Sequence, residues 1–323
     1  MTIIITTIEP PSGIYTTSIG PNSINAAGEI VGEYQDNSGS RTTHGFLDYN
    51  GTYTTIHPPG SVETIAFGIN DKGEIIGQYQ TSTSPFLGFL DNNGTYTTID
   101  PPGSLSVEPT SINAGGQVVG VFLDSNFADN GFLYSHGTYT VIDFAGAVDT
   151  LALGINKSGQ IVGIYLDSSG HQHGFLDNHG TYSTIDPPGS VGTTVTGINA
   201  KGESVGYFQE SSGGPSQGFV YDHGTFTVID FPGATATVAL GINAEGEVVG
   251  FYADGKGIDH GFLYSRGTYT SVDPPGSSET IPVSINDKGQ IVGWYSANGT
   301  DYSFVATVTG VNVAHHLSDL HFL

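Results

Sequence analysis

No cysteine occurs among the 323 residues. Disulfides, thiolate nucleophiles and zinc–thiolate sites are therefore excluded. Basic residues are almost as scarce: seven Lys and Arg stand against 31 Asp and Glu, a formal net charge of −24. That balance argues against nucleic acid, whose phosphates require Lys and Arg to displace counterions. It equally disfavours an anionic membrane surface. Cations, neutral sugars or a basic partner are easier to accommodate. Charged residues of both signs reach only 12%, about half the usual ~25%. There is no run of 18 apolar residues, so no membrane-spanning helix and no membrane insertion are expected. Met1 runs directly into a β-rich segment, without a basic stretch followed by an apolar one, so no secretory signal is expected here. No window sustains a 3.6-residue apolar period, which excludes helical repeats.

What is present is a repeat. Ile-Asn-x-x-Gly recurs with its Asn at 25, 70, 113, 156, 199, 243 and 286, a period of 43 to 45 residues. Gly-Phe recurs from Gly45-Phe46 to Gly261-Phe262, with Ser303-Phe304 as a degenerate seventh copy. A third landmark is Gly-Thr-Tyr/Phe-Thr/Ser-x-Ile/Val-Asp/His, usually followed by Pro-Pro-Gly. Each period divides into four strands. In the second copy these are A (Thr64 to Ile69), B (Glu74 to Tyr79), C (Gly88 to Leu90) and D (Thr95 to Ile99). Asn and Gly, which tolerate positive φ, mark the A–B and C–D turns, and Pro-Pro ends strand D because proline cannot donate to a ladder. Four strands in about 43 residues match one propeller blade.

The seventh copy lacks its strand D. The missing piece lies at the other end: Ile5-Thr6-Thr7-Ile8-Glu9-Pro10-Pro11 reads like Tyr53-Thr54-Thr55-Ile56-His57-Pro58-Pro59. The sequence thus predicts an all-β fold, a seven-bladed β-propeller spanning 1–310, four antiparallel strands per blade, closed by its own N-terminal strand. Residues 311–323, with His315, His316 and His321, fall outside the repeat.

The unit Gly-Ile-Asn-x-x-Gly-x-Ile-Val-Gly-x-Tyr…His-Gly-Phe-Leu…Gly-Thr-Tyr-Thr-x-Ile-Asp resembles the bacterial extracellular HAF repeat family, and the triplet reads His44-Gly45-Phe46, His173-Gly174-Phe175 and His260-Gly261-Phe262 here. The resemblance covers residues 2 to 308. It implies an extracellular or surface-associated protein, and no particular activity.

A four-strand meander fixes two rims. The A–B and C–D turns share one. The B–C loops and D–A connections share the other, the loop rim. Seventeen of the 31 acids fall on the loop rim, opposed only by Arg41 and Lys256. This rim should carry a negative potential of several kT, although an acidic surface also serves solubility. Four sets of residues there are candidates. Glu9, His57, Asp100, Asp143, Asp186, Asp230 and Asp273 end strand D. Carboxylates of this kind suit Ca2+, or they accept N–H bonds in the turn before Pro-Pro-Gly. No cofactor is required by any motif. His44, His173 and His260 could be general bases or metal ligands, or could bond within their own blades. Tyr79 and Tyr165 belong to an aromatic series ending strand B, suited to sugar stacking or to packing between blades. Finally Glu63, Asp149 and Glu279 stand at the start of strand A, with Glu108 nearby. Phe86 and Phe127 add apolar tips beside them.

The reading that follows is a binding module for carbohydrate or another surface ligand on the acidic loop rim, whose near-equivalent sites favour multivalent binding. Two alternatives stand beside it. One is a polysaccharide lyase or hydrolase using His44 or His173 near Glu63 or Asp149. The other is a passive scaffold or adhesion protein. The sequence leaves the question of catalysis and the oligomeric state open.

Overall fold

The computed structural model describes residues 2–10, 13–36 and 41–309, and the segment 311–323 lies outside them. Among the described residues, every regular element is a strand, and the strands form seven four-stranded sheets. Six sheets are plain meanders. The seventh is ordered Thr2–Ile8, Thr300–Thr309, Gln290–Ala297, Glu279–Ile285. The N-terminal strand therefore supplies strand D of blade seven. It pairs antiparallel with strand C from Thr2 opposite Thr309 to Ile8 opposite Ser303. Ile8 is fully buried and packs with Ile19, Ile24 and Phe46 of blade one, so the closing strand also bridges to the first blade.

Strand boundaries differ from the sequence-based ones where pairing extends them. In blade two, strand A starts at Ser61, which pairs with Thr81, and strand C runs from Leu87 to Asn92. The B–C loop is correspondingly short. Strand A lies innermost. Segments such as 196–198, 240–242 and 283–285, all from strand A, surround a cavity on the ring axis. Blades two to seven carry an extra residue in strand A, for example between Ala152 and Gly154 of blade four.

The six phenylalanines of Gly-Phe and Phe304 of the seventh copy are among the largest fully buried side chains. Room for them comes from the Gly of Ile/Val-Val-Gly in strand B. Gly163 pairs directly with Phe175, and a Cβ built there would lie 1.9 Å from the Leu151 carbonyl oxygen. Each blade then packs its Ile and Val face against the next. One cluster joins Val119 and Ile142 of blade three to Ile155, Tyr165 and Phe175 of blade four.

The Asn of Ile-Asn-x-x-Gly does something other than supply positive φ. That role falls to the following glycine, as at Gly73 (φ 77°) and Gly159 (φ 87°). The asparagines themselves are buried. Each Nδ2 donates to the main-chain carbonyl of the same Asn in the next blade. Asn25 reaches Asn70 at 3.1 Å, Asn70 reaches Asn113 at 3.0 Å, Asn113 reaches Asn156 at 3.0 Å, and Asn156 reaches Asn199 at 3.2 Å. Asn199 continues to Asn243 at 2.9 Å, Asn243 to Asn286 at 3.2 Å, and Asn286 returns to Asn25 at 2.9 Å. The second Nδ2 hydrogen goes to the Glu or Gln four residues on, and Oδ1 accepts main-chain N–H groups of its own turn, as Asn156 shows with Gln160 and Ser158. Both ends of each amide are thereby satisfied, as buried polar groups must be. At the C–D turns Asn50 and Asn93 do take positive φ, and His136, His179, His223 and Arg266 occupy the same place.

The outer edge carries a second inter-blade link. The Tyr of Gly-Thr-Tyr accepts, through its hydroxyl, the main-chain N–H that ends strand D of the preceding blade: Tyr53 from Glu9, Tyr96 from His57, Tyr139 from Asp100 and Tyr269 from Asp230.

Candidate functional site

The strand D carboxylates serve as local acceptors. Asp100 accepts the Ser104 hydroxyl at 2.7 Å, and Asp230 accepts that of Thr237 at 3.4 Å. Asp186 takes His173 and the Gly174 N–H, while Asp273 takes His260, the Gly261 N–H and the Ser271 hydroxyl. The Asp143 N–H faces the Tyr182 hydroxyl. Among the described residues no group of three or more His, Asp or Glu gathers to hold a metal ion. Asp100, Asp143, Asp186, Asp230 and Asp273 are thus spread over separate blades, and Asp100, Asp186, Asp230 and Asp273 accept hydrogen bonds from nearby protein groups.

The histidines do not meet Glu63 or Asp149 in the way a shared acid–base site requires. His44 binds Asp36 of its own blade at 3.1 Å. His173 lies between Asp186 (2.6 Å) and Asp167 (3.5 Å), and His260 between Asp273 (3.2 Å) and Asp254 (3.8 Å). Burial works against the charged form of His173, yet Asp186 and then Asp167 outweigh it and hold the imidazole above its ordinary pKa. Asp167 and Asp254 are kept acidic by the main-chain N–H groups of their loops, His171 and Ile258 first among them.

Blades four and six share a further device. Phe144 and Phe231 replace the first Pro of Pro-Pro-Gly, and their rings stack on Tyr165 at 3.8 Å and Tyr252 at 3.6 Å. The same tyrosines stack on His173 and His260 on centroid distances of 4.9 and 5.3 Å. Tyr79 and Tyr165 therefore do not offer open faces to a sugar. Both are buried, and their hydroxyls bond Thr98 and Thr184 on strand D of the same blade. Where strand B ends in Phe122 or Phe208, strand D carries Val141 or Val228 in place of that threonine, because no hydroxyl needs a partner.

The acids at the start of strand A fall into two inter-blade groups. In one, the Asp129 N–H of blade three donates to the Asp149 carboxylate of blade four at 3.1 Å. Desolvation and then the Asp149 charge raise the Asp129 pKa, and desolvation and then the Asp129 charge raise that of Glu108. Glu108 is open to solvent but crowded by protein on its other sides. It stands where blades two, four, six and seven have Ile65, Leu151, Val238 and Ile281, and where blade five has Thr194. In the second group, desolvation and then Asp259 and Asp301 raise the pKa of Glu279. Glu63 is half-exposed at the equivalent position of blade two. Phe86 is half-buried, its carbonyl accepting the Val107 N–H of blade three at 3.2 Å.

An acid whose folded-state pKa is raised favours the protonated native state. Its penalty is absent below the unfolded pKa and grows as pH rises through the folded value. Glu108→Gln is therefore expected to raise the melting temperature at pH 7 and to leave it nearly unchanged below about pH 4, as calorimetry at the two pH values will show.

A groove that no repeat motif marks opens elsewhere. Between blades three and four, towards the tight-turn rim, lies a cavity of about 490 Å3. Leu133 and Ile142 form one wall, with Thr140 on the same face. Gln117, Ser158, Asp177, His179 and Tyr182 supply the polar groups. Asp177 is buried and accepts the Gly180 N–H, which sets the turn that presents His179 at φ 54°. A smaller cavity of about 180 Å3 sits at the channel mouth inside the asparagine ring, where the amides are already satisfied. The groove depends on which residues two blades happen to turn towards each other, and no motif records that.

No family profile matches the sequence, and no curated protein matches it. Solved structures do. The acylaminoacyl peptidase of Pyrococcus horikoshii aligns with a TM-score of 0.61 at 10% identity, over 93% of this chain and 53% of that one. The BP39L lectin of Burkholderia pseudomallei aligns at 0.52 and 10% identity, over 90% of this chain and 98% of that one. The chain thus spans about half the peptidase's length and nearly all of the lectin's. Identities this low show a shared propeller fold and nothing finer.

Proposed function

We propose that this protein is a binding module that takes a neutral carbohydrate in the groove between blades three and four. The observation that carries the reading is the composition of that groove. One wall is aliphatic, from Leu133 and Ile142, and faces amide, hydroxyl, imidazole and carboxylate groups across about 490 Å3. Pockets of a few hundred Å3 with an apolar lining and a few placed polar groups are the usual form of small-ligand sites. A sugar has the matching character, a C–H face and a rim of hydroxyls. The net charge of −24 disfavours anionic ligands. That the Burkholderia lectin shares this fold agrees with the reading, but the groove supports it. The resemblance to extracellular HAF repeats supports action outside the cell or at its surface. A binding role also accords with the imidazole–carboxylate pairs, which are closed within separate blades rather than gathered at one reacting centre.

Titration against a panel of neutral glycans tests this. Saturable binding without release of reducing ends is expected, with little dependence on salt. Thr140→Trp, which fills the groove from the face shared with Leu133 and Ile142, and His179→Asn, which keeps the turn as Asn50 and Asn93 do, should each weaken it about tenfold or more. Binding that survives Thr140→Trp unchanged, or new reducing ends, would overturn the proposal.

A further inference from the structure

A second surface, on the opposite rim, is independent of that groove. The B–C loops of blades three, four and six share one conformation. In each, the leading Asp accepts main-chain N–H groups two and four residues on: Asp124 from Asn126 and Ala128, Asp167 from Ser169 and His171, Asp254 from Lys256 and Ile258. The fourth residue must take positive φ. Blades four and six use Gly170 and Gly257, both at φ 79°. Blade three uses Phe127, at φ 63°, and its side chain is 77% exposed. A bulky residue in the left-handed region is a genuine outlier, and this one gains no burial in return. Folding alone gives no reason for phenylalanine at a site that glycine fills in the sister blades.

Phe127 is not isolated. The Asp129 N–H to Asp149 bond joins blades three and four two residues beyond Phe127 and one residue beyond Val148, which is 59% exposed. The Leu105 N–H donates to the Leu123 carbonyl at 2.7 Å, which sets the exposed Leu105 beside the start of the same loop. Val62 and Val191 are exposed at the position of Leu105 and Val148 in the flanking blades. Aliphatic residues thus recur at one repeat position across four consecutive blades, and the exposed Phe127 stands on the blade three loop whose start and end are bonded beside Leu105 and Val148. Contiguous exposed apolar surface rimmed by polar groups marks an interaction site.

Charge selects the occupant. Glu108, Asp129 and Asp149 fringe this patch, the Asp149 charge adding to desolvation in raising the proton affinity of Asp129 and the Asp129 charge likewise that of Glu108, and they have no Lys or Arg partner among the described residues. A second copy of a chain with net charge −24 would meet like charge there. We infer that this face of blades three and four docks a cationic polypeptide segment, with an apolar side chain of the partner on Phe127, Val148 and Leu105 and its Lys or Arg side chains on Glu108, Asp129 and Asp149.

The test uses the full chain and a synthetic peptide of repeating Lys-Phe-Lys-Ser, with Glu-Phe-Glu-Ser and Ser-Phe-Ser-Ser as controls, followed by calorimetry at low and high salt. Only the cationic peptide should bind, more weakly as salt rises. Phe127→Gly restores the sister-loop residue, so it should fold and melt at least as high as the parent while losing about tenfold or more in affinity. Glu108→Gln with Asp129→Asn should weaken binding and flatten its salt dependence. Asp222→Asn with Glu245→Gln, an equal loss of charge on the opposite rim, should leave it unchanged. The inference fails if Phe127→Gly binds like the parent, if the distant pair weakens binding as much as the near one, or if the uncharged peptide binds equally well. It fails also if sedimentation shows self-association that Phe127→Gly abolishes, since the occupant would then be a second copy. Neutral-glycan binding in the groove is unaffected by any of these variants, so the two proposals stand or fall separately.

Discussion

Gly163→Ala is expected to destabilise the protein by about 4–5 kcal/mol, the upper end of single-substitution effects. An added Cβ would stand 1.9 Å from the Leu151 carbonyl oxygen and 3.0 Å from the Phe175 ring. Neither neighbour has room to retreat. Leu151 belongs to the innermost strand, directly opposite the adjoining residue Ile164, and Phe175 is fully buried. The same close approach recurs at Gly77, Gly120, Gly206, Gly250 and Gly293, where the nearest carbonyl lies 2.0 to 2.3 Å from the built Cβ. The control is Gly192→Ala. Gly192 also sits in a strand, but nothing lies within 4 Å of its built Cβ and its φ is not positive. Removing a glycine there restricts the unfolded chain, so a gain of about 0.5 kcal/mol is expected. Chemical denaturation of the two variants measures both values. Equal losses at the two positions would mean that the packing of Phe175 over Gly163 is not what limits the blade.

Deleting residues 2–8 should cost about 5 kcal/mol or more, enough to consume much of the stability of an ordinary domain. The deletion removes the whole ladder from Thr2–Thr309 to Ile8–Ser303 and takes Ile8 out of the cluster it shares with blade one. It also bares strand Thr300–Thr309 as a long unpaired edge, an invitation to intermolecular pairing. The expected result is a much lower, broadened melting transition with aggregation. A peptide of residues 2–10 supplied in trans should restore part of the loss. A truncated protein that melted like the parent would show that the N-terminal strand is a passive addition to blade seven.

The architecture was legible because it is repetitive. Seven copies of Ile-Asn-x-x-Gly reveal the period, and the orphan Ile5–Ile8 segment reveals how the ring shuts, since its only matching place is the vacant strand D beside Phe304. Side-chain roles were less legible, because they depend on residues 43 positions away or in another blade. Asn156 reads as a turn residue until its amide is seen on the Asn199 carbonyl. Tyr165 reads as a sugar platform until Phe144 is seen covering it. His173 reads as a general base near Asp149, yet the carboxylates that reach it are Asp167 and Asp186 of its own blade. Phe127 stood out by exposure-prone position and apolar character, while its left-handed backbone becomes visible only beside Gly170 and Gly257.

The amide circuit formed by the seven asparagines runs in one sense, every donor pointing to its successor. The contact between Asn286 and Asn25 spans 261 positions of sequence, yet at 2.9 Å it matches the contacts between sequence neighbours. At this rim the molecule is a hoop without a seam. Rotating the reading phase of the repeat, so that the polypeptide opened at the connection after Gly189 instead, would leave every link of the hoop in place. Unlike the outer edge, where one blade is stitched from two remote segments, this inner rim is indifferent to circular permutation.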